Sequence, residues 1–101
     1  MKTIISTPKA PSAIGPYNQA TAFDKLIFTS GQIAHDPQTM ERVIGGVKEQ
    51  TKQVMENLKA VLEEAGSSFE NVLKTTCYLS DMDNFVAFNE VYGQYFKGET
   101  A

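Results

Sequence analysis

Apolar residues first pair up at Ile4 and Ile5, inside a Lys2–Ser6 segment that reads as a short strand. Pro8 and Pro11 end it, because their rings fix φ and remove donors from any ladder. A loop through Gly15-Pro16 follows, and Tyr17–Ala22 reads as a second strand. The chain then turns at Asp24-Lys25 into Leu26–Ile33, the strongest strand signal in the sequence, so the two segments predict a hairpin. Asp36-Pro37-Gln38-Thr39 is turn chemistry: Asp bonds its own backbone and Pro presets the next φ.

Beyond the turn the period changes. From Gly46 to Ala65, Val47, Val54, Met55, Leu58, Val61, Leu62 and Ala65 recur at helical spacing, leaving Lys48, Gln50, Lys52, Lys59 and Glu63 for water. Lys52–Glu56 and Lys59–Glu63 stand at i,i+4, where ion pairs support a helix, and Gly66 is a natural left-handed terminator. Val72–Leu79 is β-branched and aromatic without a breaker, which predicts a strand beside the hairpin, reached by a right-handed crossover. Ser80-Asp81-Met82-Asp83 offers cap oxygens for a second helix, on which Phe85, Phe88, Val91, Tyr92, Tyr95 and Phe96 form a stripe facing a core. Residues 1–101 therefore predict a single α+β domain with four candidate strands. So aromatic a helix face calls for a fuller sheet. The expectation is a natural polypeptide continuing past Ala101 by roughly 25 residues, enough for two more strands and their turn.

Composition narrows the class. With 42% hydrophobic and 21% charged residues the chain is neither disordered nor membrane-like, and no stretch approaches the roughly 20 apolar residues of a membrane span. The N-terminus reaches Pro8 before any apolar region long enough for a secretory signal, so the expected compartment is the cytosol. A lone cysteine, Cys77, agrees with a reducing environment. A net charge of −3 without a Lys/Arg cluster argues against nucleic acid as a partner.

No phosphate loop, zinc spacing or nucleophile elbow is present. His35 reads as a surface loop residue and Cys77 as a small buried hydrophobe within its strand. Three places are harder to assign to packing alone. Ser30-Gly31 ends an apolar strand with a hydroxyl and a residue lacking Cβ, which suits either a bulge or a ligand approaching a backbone N–H. Asn89 shares the helical stripe with Phe85, Phe88, Tyr92 and Phe96, so its amide needs a partner there, from the sheet, a loop or a ligand. Tyr17, entering the hairpin, suits a cleft or an interface rim equally.

Four segments in order, Ile14-Gly15-Pro16-Tyr17-Asn18-Gln19-Ala20, Ile27-Phe28-Thr29-Ser30-Gly31-Gln32-Ile33, Gly45-Gly46-Val47-Lys48-Glu49-Gln50-Thr51 and Tyr78-Leu79-Ser80-Asp81-Met82-Asp83-Asn84-Phe85, resemble signatures of the RidA/YjgF reactive intermediate deaminases, also known as the endoribonuclease L-PSP family. The family usually has Ser where Asn18 stands. The resemblance implies a chorismate-mutase-like mixed sheet with two helices on one face, assembled as a homotrimer with clefts between subunits. It also implies hydrolysis of 2-aminoacrylate and related enamines and imines to 2-oxo acids and ammonia, with no metal or organic cofactor. Tyr17, Ser30, Gly31 and Asn89 match cleft positions, with Phe88 as an apolar wall. The family's carboxylate-anchoring arginine follows a Gly-Glu-Thr-like stretch, and its water-placing glutamate comes later. Both are expected past Ala101, and Arg42, the sole arginine here, does not match the anchor's position. A non-catalytic ligand-binding or regulatory role is the alternative. Endoribonuclease or translation-inhibitor activity, described for some family members, is another.

Overall fold

Alternation of small and large residues builds the sheet. Ala20 and Ala22 point one way from Ala20–Phe23 (β2), while Thr21 and Phe23 point the other, as the period of two dictates. Leu26–Thr29 (β3) pairs antiparallel with β2, Ala20 opposite Thr29 and Phe23 opposite Leu26, around the expected Asp24-Lys25 turn. Asp24 carries φ 55°, a left-handed conformation that Asp tolerates better than most residues. Thr3–Ile5 (β1) adds to the other edge of β2, with Ile5 opposite Ala20. The computed structural model describes residues 1–101, and its sheet is three-stranded and antiparallel in the order β1-β2-β3.

One long helix, Val47–Glu64 (α1), covers one face of this sheet. At its start the Glu49 carboxylate accepts the Gly46 N–H at 3.1 Å. Glu49 folds back so closely that a Cβ on Gly45, which also has φ +130°, would sit 2.7 Å from it. At its end the Ser67 N–H bonds the Leu62 carbonyl and the Gly66 N–H the Glu63 carbonyl, with Gly66 at φ +80° as expected for a Schellman termination. Val61 lies completely buried against Ile5, Ala10 and Ala20, and Ala22, Ile27, Ala60 and Ala65 close around them. Lys52–Glu56 and Lys59–Glu63 do not form, since the only ion pair in the chain is Lys48–Glu90.

A second helix, Phe85–Tyr92 (α2), follows a 3-10 turn at Met82–Asn84 that Asp81 caps through its Oδ1, accepting the Asp83 N–H at 2.9 Å. α2 packs on α1. The Lys48 Nζ lies 2.7 Å from the Glu90 carboxylate, and the Tyr95 hydroxyl donates to Glu56 Oε2 at 2.7 Å. Phe88 stacks on Tyr92, and Phe69 sets its edge against Tyr95 and Phe96.

Three expectations are corrected. Val72–Leu79 is not a strand: it runs as irregular chain without ladder bonds, with Leu73 80% and Tyr78 91% exposed. Its β character is real but needs a neighbour's backbone, and none of these residues supplies one. Cys77 on this segment is consequently exposed rather than buried. The stripe on α2 does not reach a closed core, for no residue of that helix is fully buried.

The outcome is a slab of 42 × 34 × 18 Å with much open apolar surface. Ile4, Phe23, Leu26 and Phe28, on the sheet face away from α1, are 48–63% exposed. The accessible surface is 7382 Å². A compact monomer of 11.1 kDa would present about 5,700 Å², and the excess is about twice the roughly 800 Å² that one partner gives to a standard protein–protein interface.

The Tyr95 contact carries a pH signature. Burial, and then the hydrogen bond to Glu56 and its charge, raise the Tyr95 phenol from 10.0 to about 12. The folded state thus keeps the proton longer than the unfolded chain. Any stability gained is complete below pH 10 and lost as pH rises toward 12. Absorbance titration at alkaline pH should show one late-ionising tyrosine. Tyr95→Phe should remove that phase, and a late phase surviving the substitution would contradict the assignment.

Candidate functional site

Pro8, Pro11 and Pro16 deprive the segment before β2 of backbone donors, so its carbonyls must find donors elsewhere. Gln19, only 3% exposed, supplies them. Its Nε2 donates to the carbonyls of Thr7 at 3.0 Å, Ala10 at 3.2 Å and Pro11 at 2.7 Å, while its Oε1 accepts the Thr7 N–H at 2.6 Å. The main chain of the same turn holds Ser30. The Ser30 N–H donates to the Gln19 carbonyl at 3.0 Å and the Ser30 hydroxyl to the Asn18 carbonyl at 2.5 Å. Tyr17 stands beside this turn, half exposed, its N–H bonded to the Gly15 carbonyl and its hydroxyl accepting from the Ile14 N–H at 3.4 Å.

Tyr17, Ser30 and Gly31 are therefore brought together by local bonds. The Ser30 proton is committed to Asn18, so toward a ligand its hydroxyl offers lone pairs rather than a donor. Gly31 makes no hydrogen bond through its N–H, and the space where a Cβ would project is empty. A second buried amide fixes the far side of this segment. Asn57, 1% exposed on α1, donates through Nδ2 to the carbonyls of Ile33 at 3.3 Å and His35 at 2.9 Å, and accepts from Gln53 at 2.9 Å. His35 pairs across a short bridge with Arg42, which is exposed and in no ion pair.

Phe88 and Asn89 lie elsewhere, on α2. Phe88 is half-buried under Tyr92, and the Asn89 side chain is exposed and makes no hydrogen bond, so the structural partner expected for it is not found. No hydrogen bond or ring contact joins these two residues to Tyr17, Ser30 or Gly31. Two surface grooves of about 280 and 310 Å³ run along α1, and neither contains any of the five. No three His, Cys, Asp or Glu side chains gather as metal ligands. Within one chain the five candidate residues thus fall into two separate groups. Gln19 and Asn57, which hold the first of them, were not singled out by the sequence reading. The signal available was the three donor-less prolines before Gln19.

A family model described as Endoribonuclease L-PSP matches residues 7–101. A RutC family protein of Pyrococcus abyssi is 55% identical over 95 residues, spanning 94% of this chain and 75% of that protein. A human protein named 2-iminobutanoate/2-iminopropanoate deaminase is 50% identical over 97 residues, 96% of this chain and 71% of that protein. The crystal structure of E. coli TdcF with bound serine matches with a TM-score of 0.89 at 42% identity, over 93% of this chain and 73% of that one. Motifs, fold and these likenesses agree, and the chain belongs to the RidA/YjgF, or endoribonuclease L-PSP, family.

Proposed function

We propose that this chain hydrolyses small 2-imino and 2-enamino acids, of the 2-aminoacrylate type, to 2-oxo acids and ammonia in the cytosol. The observation that carries the reading is the unpaired Gly31 N–H beside a Ser30 hydroxyl fixed as an acceptor. The names of relatives support it, among them mammalian imine deaminases at about half identity. So does a solved neighbour holding serine, a small amino acid.

The chemistry asks for little beyond positioning. An enamine first takes a proton at its terminal carbon and becomes the imine. Water then adds to the imine carbon, and the resulting carbinolamine collapses to the 2-oxo acid and ammonia. The Gly31 N–H can hold one carboxylate oxygen of the substrate, and the Ser30 lone pairs can accept from the incoming water or the imine N–H. Tyr17 and Phe88 would wall the cleft, and the Asn89 amide is free to bond the substrate. Within residues 1–101, Arg42 is the one guanidinium able to balance the carboxylate charge.

Since the two half-sites do not meet within one chain, the proposed cleft forms between copies, in a homotrimer. The open apolar sheet face and the excess surface support association. Light scattering at micromolar concentration should give three times the chain mass, and a folded monomer would overturn the shared cleft.

The activity test couples a dehydratase that generates 2-aminoacrylate to ammonia release. Ser30→Ala and Asn89→Ala should each lower the rate by about tenfold or more. Asn89→Ala should leave the melting temperature nearly unchanged, as expected for an exposed side chain, and Ser30→Ala should cost about 1 kcal/mol for its bond to Asn18. Full activity in both variants would refute the assignment. The family description raises ribonuclease activity as a second reading. Salt-sensitive RNA cleavage without ammonia release would favour it.

A further inference from the structure

We infer that Gln19 is the positioning residue of the site, acting through Ser30 and Gly31 without touching substrate. This rests on the reading of Ser30-Gly31 as the part of the cleft that meets the reacting atoms.

Gln19 is the one residue bonded to both sides of that half-site. Its side chain spends every hydrogen-bonding atom on the Thr7–Pro11 loop, and its own carbonyl, with that of Asn18, receives the two hydrogen atoms of Ser30. Asn57 grips the carbonyls of Ile33 and His35 at the other end of the segment. Gly31 lies between these two anchors with no bond of its own and no side chain to steady it. The direction of its N–H is therefore set by where Gln19 and Asn57 hold its neighbours.

The side-chain type follows from the arithmetic of donors. One residue must accept from one N–H and face three carbonyls at once, which a carboxamide does with its one oxygen and two N–H, one hydrogen shared between two carbonyls. A carboxylate would set negative oxygens against those carbonyls, and an apolar isostere would leave them without donors. Three of these four bonds are also dry. Thr7 is 5% exposed, and Ala10 and Ala20 are each 1% exposed, so water does not compete and a vacancy is costly.

Gln19→Met keeps the volume and removes every side-chain bond, leaving the carbonyl that accepts the Ser30 N–H. Gln19→Glu keeps the acceptor and, while the introduced carboxyl stays protonated, one donor. In ¹⁵N–¹H spectra of folded Gln19→Met, the amide resonances of Ser30 and Gly31 should move together with that of Thr7. Turnover should fall by about tenfold or more. In a Ser30→Ala background the same substitution should cost less than in the parent, because the share of its effect that runs through the Ser30 hydroxyl is already gone. Gln19→Glu should stay folded and lose activity as rising pH ionises the buried carboxyl, a decline absent from the parent.

A Thr7 shift without Ser30 and Gly31 shifts, full additivity with Ser30→Ala, or a parental pH profile for Gln19→Glu would each overturn the proposal. If the parent chain releases no ammonia from imines, the deaminase reading fails on its own. The amide resonances of Ser30 and Gly31 still decide the positioning role.

Discussion

Everything on the sheet side depends on Val61 seated against Ala10, Ala20 and Ile5. So small a core closes only if the sheet presents methyl groups where the helix descends, and β2 provides them through Ala20 and Ala22. That seat fixes the start of β2 and therefore Gln19, the residue before Ala20. With Gln19 placed, its amide draws in the donor-poor loop, and its carbonyl receives Ser30. A packing constraint on one face thus becomes a geometric constraint on two candidate binding groups.

α1 transmits order in a second way. Asn57 faces the Ile33–His35 carbonyls four residues before Val61 faces the sheet, so one helix surface supplies both apolar contact and polar restraint. Its other flank receives α2 through Lys48–Glu90 and the turn after α2 through Tyr95–Glu56, which carries Phe88 and Asn89 away from Ser30. The hydrogen bond and charge of Glu90 also raise the Lys48 pKa, an exposed effect that added salt would screen. Helix packing within one subunit therefore separates the two halves of the proposed site, and association between subunits is what would unite them.

Local signals were legible in the sequence. The Asp24-Lys25 turn, the limits of α1 and the Gly66 terminator all depend on a few neighbouring residues and stand where the sequence placed them, whereas Asp81 caps the 3-10 turn that leads into α2 rather than α2 itself. Signals that depend on distant partners were not. Val72–Leu79 has the composition of a strand but no backbone to pair with, and the aromatic stripe of α2 finds only partial cover. The neighbourhood of Tyr17, Ser30 and Gly31 follows from adjoining turns joined by the Ser30 bonds to Asn18 and Gln19. Gln19 and Asn57 escaped because a buried amide cannot be told from an exposed one until the loop carbonyls around it are placed.

The central claim, that one copy's Ser30 half-site works with another's Asn89 half-site, is tested most directly by complementation. Ser30→Ala and Asn89→Ala chains would be mixed, dissociated and reassembled, and ammonia release from 2-aminoacrylate measured. Random reassembly restores both groups in about a quarter of the clefts if each cleft draws on two subunits. The account predicts recovery of roughly that fraction of parental activity, whereas a mixture no more active than its two components would contradict it.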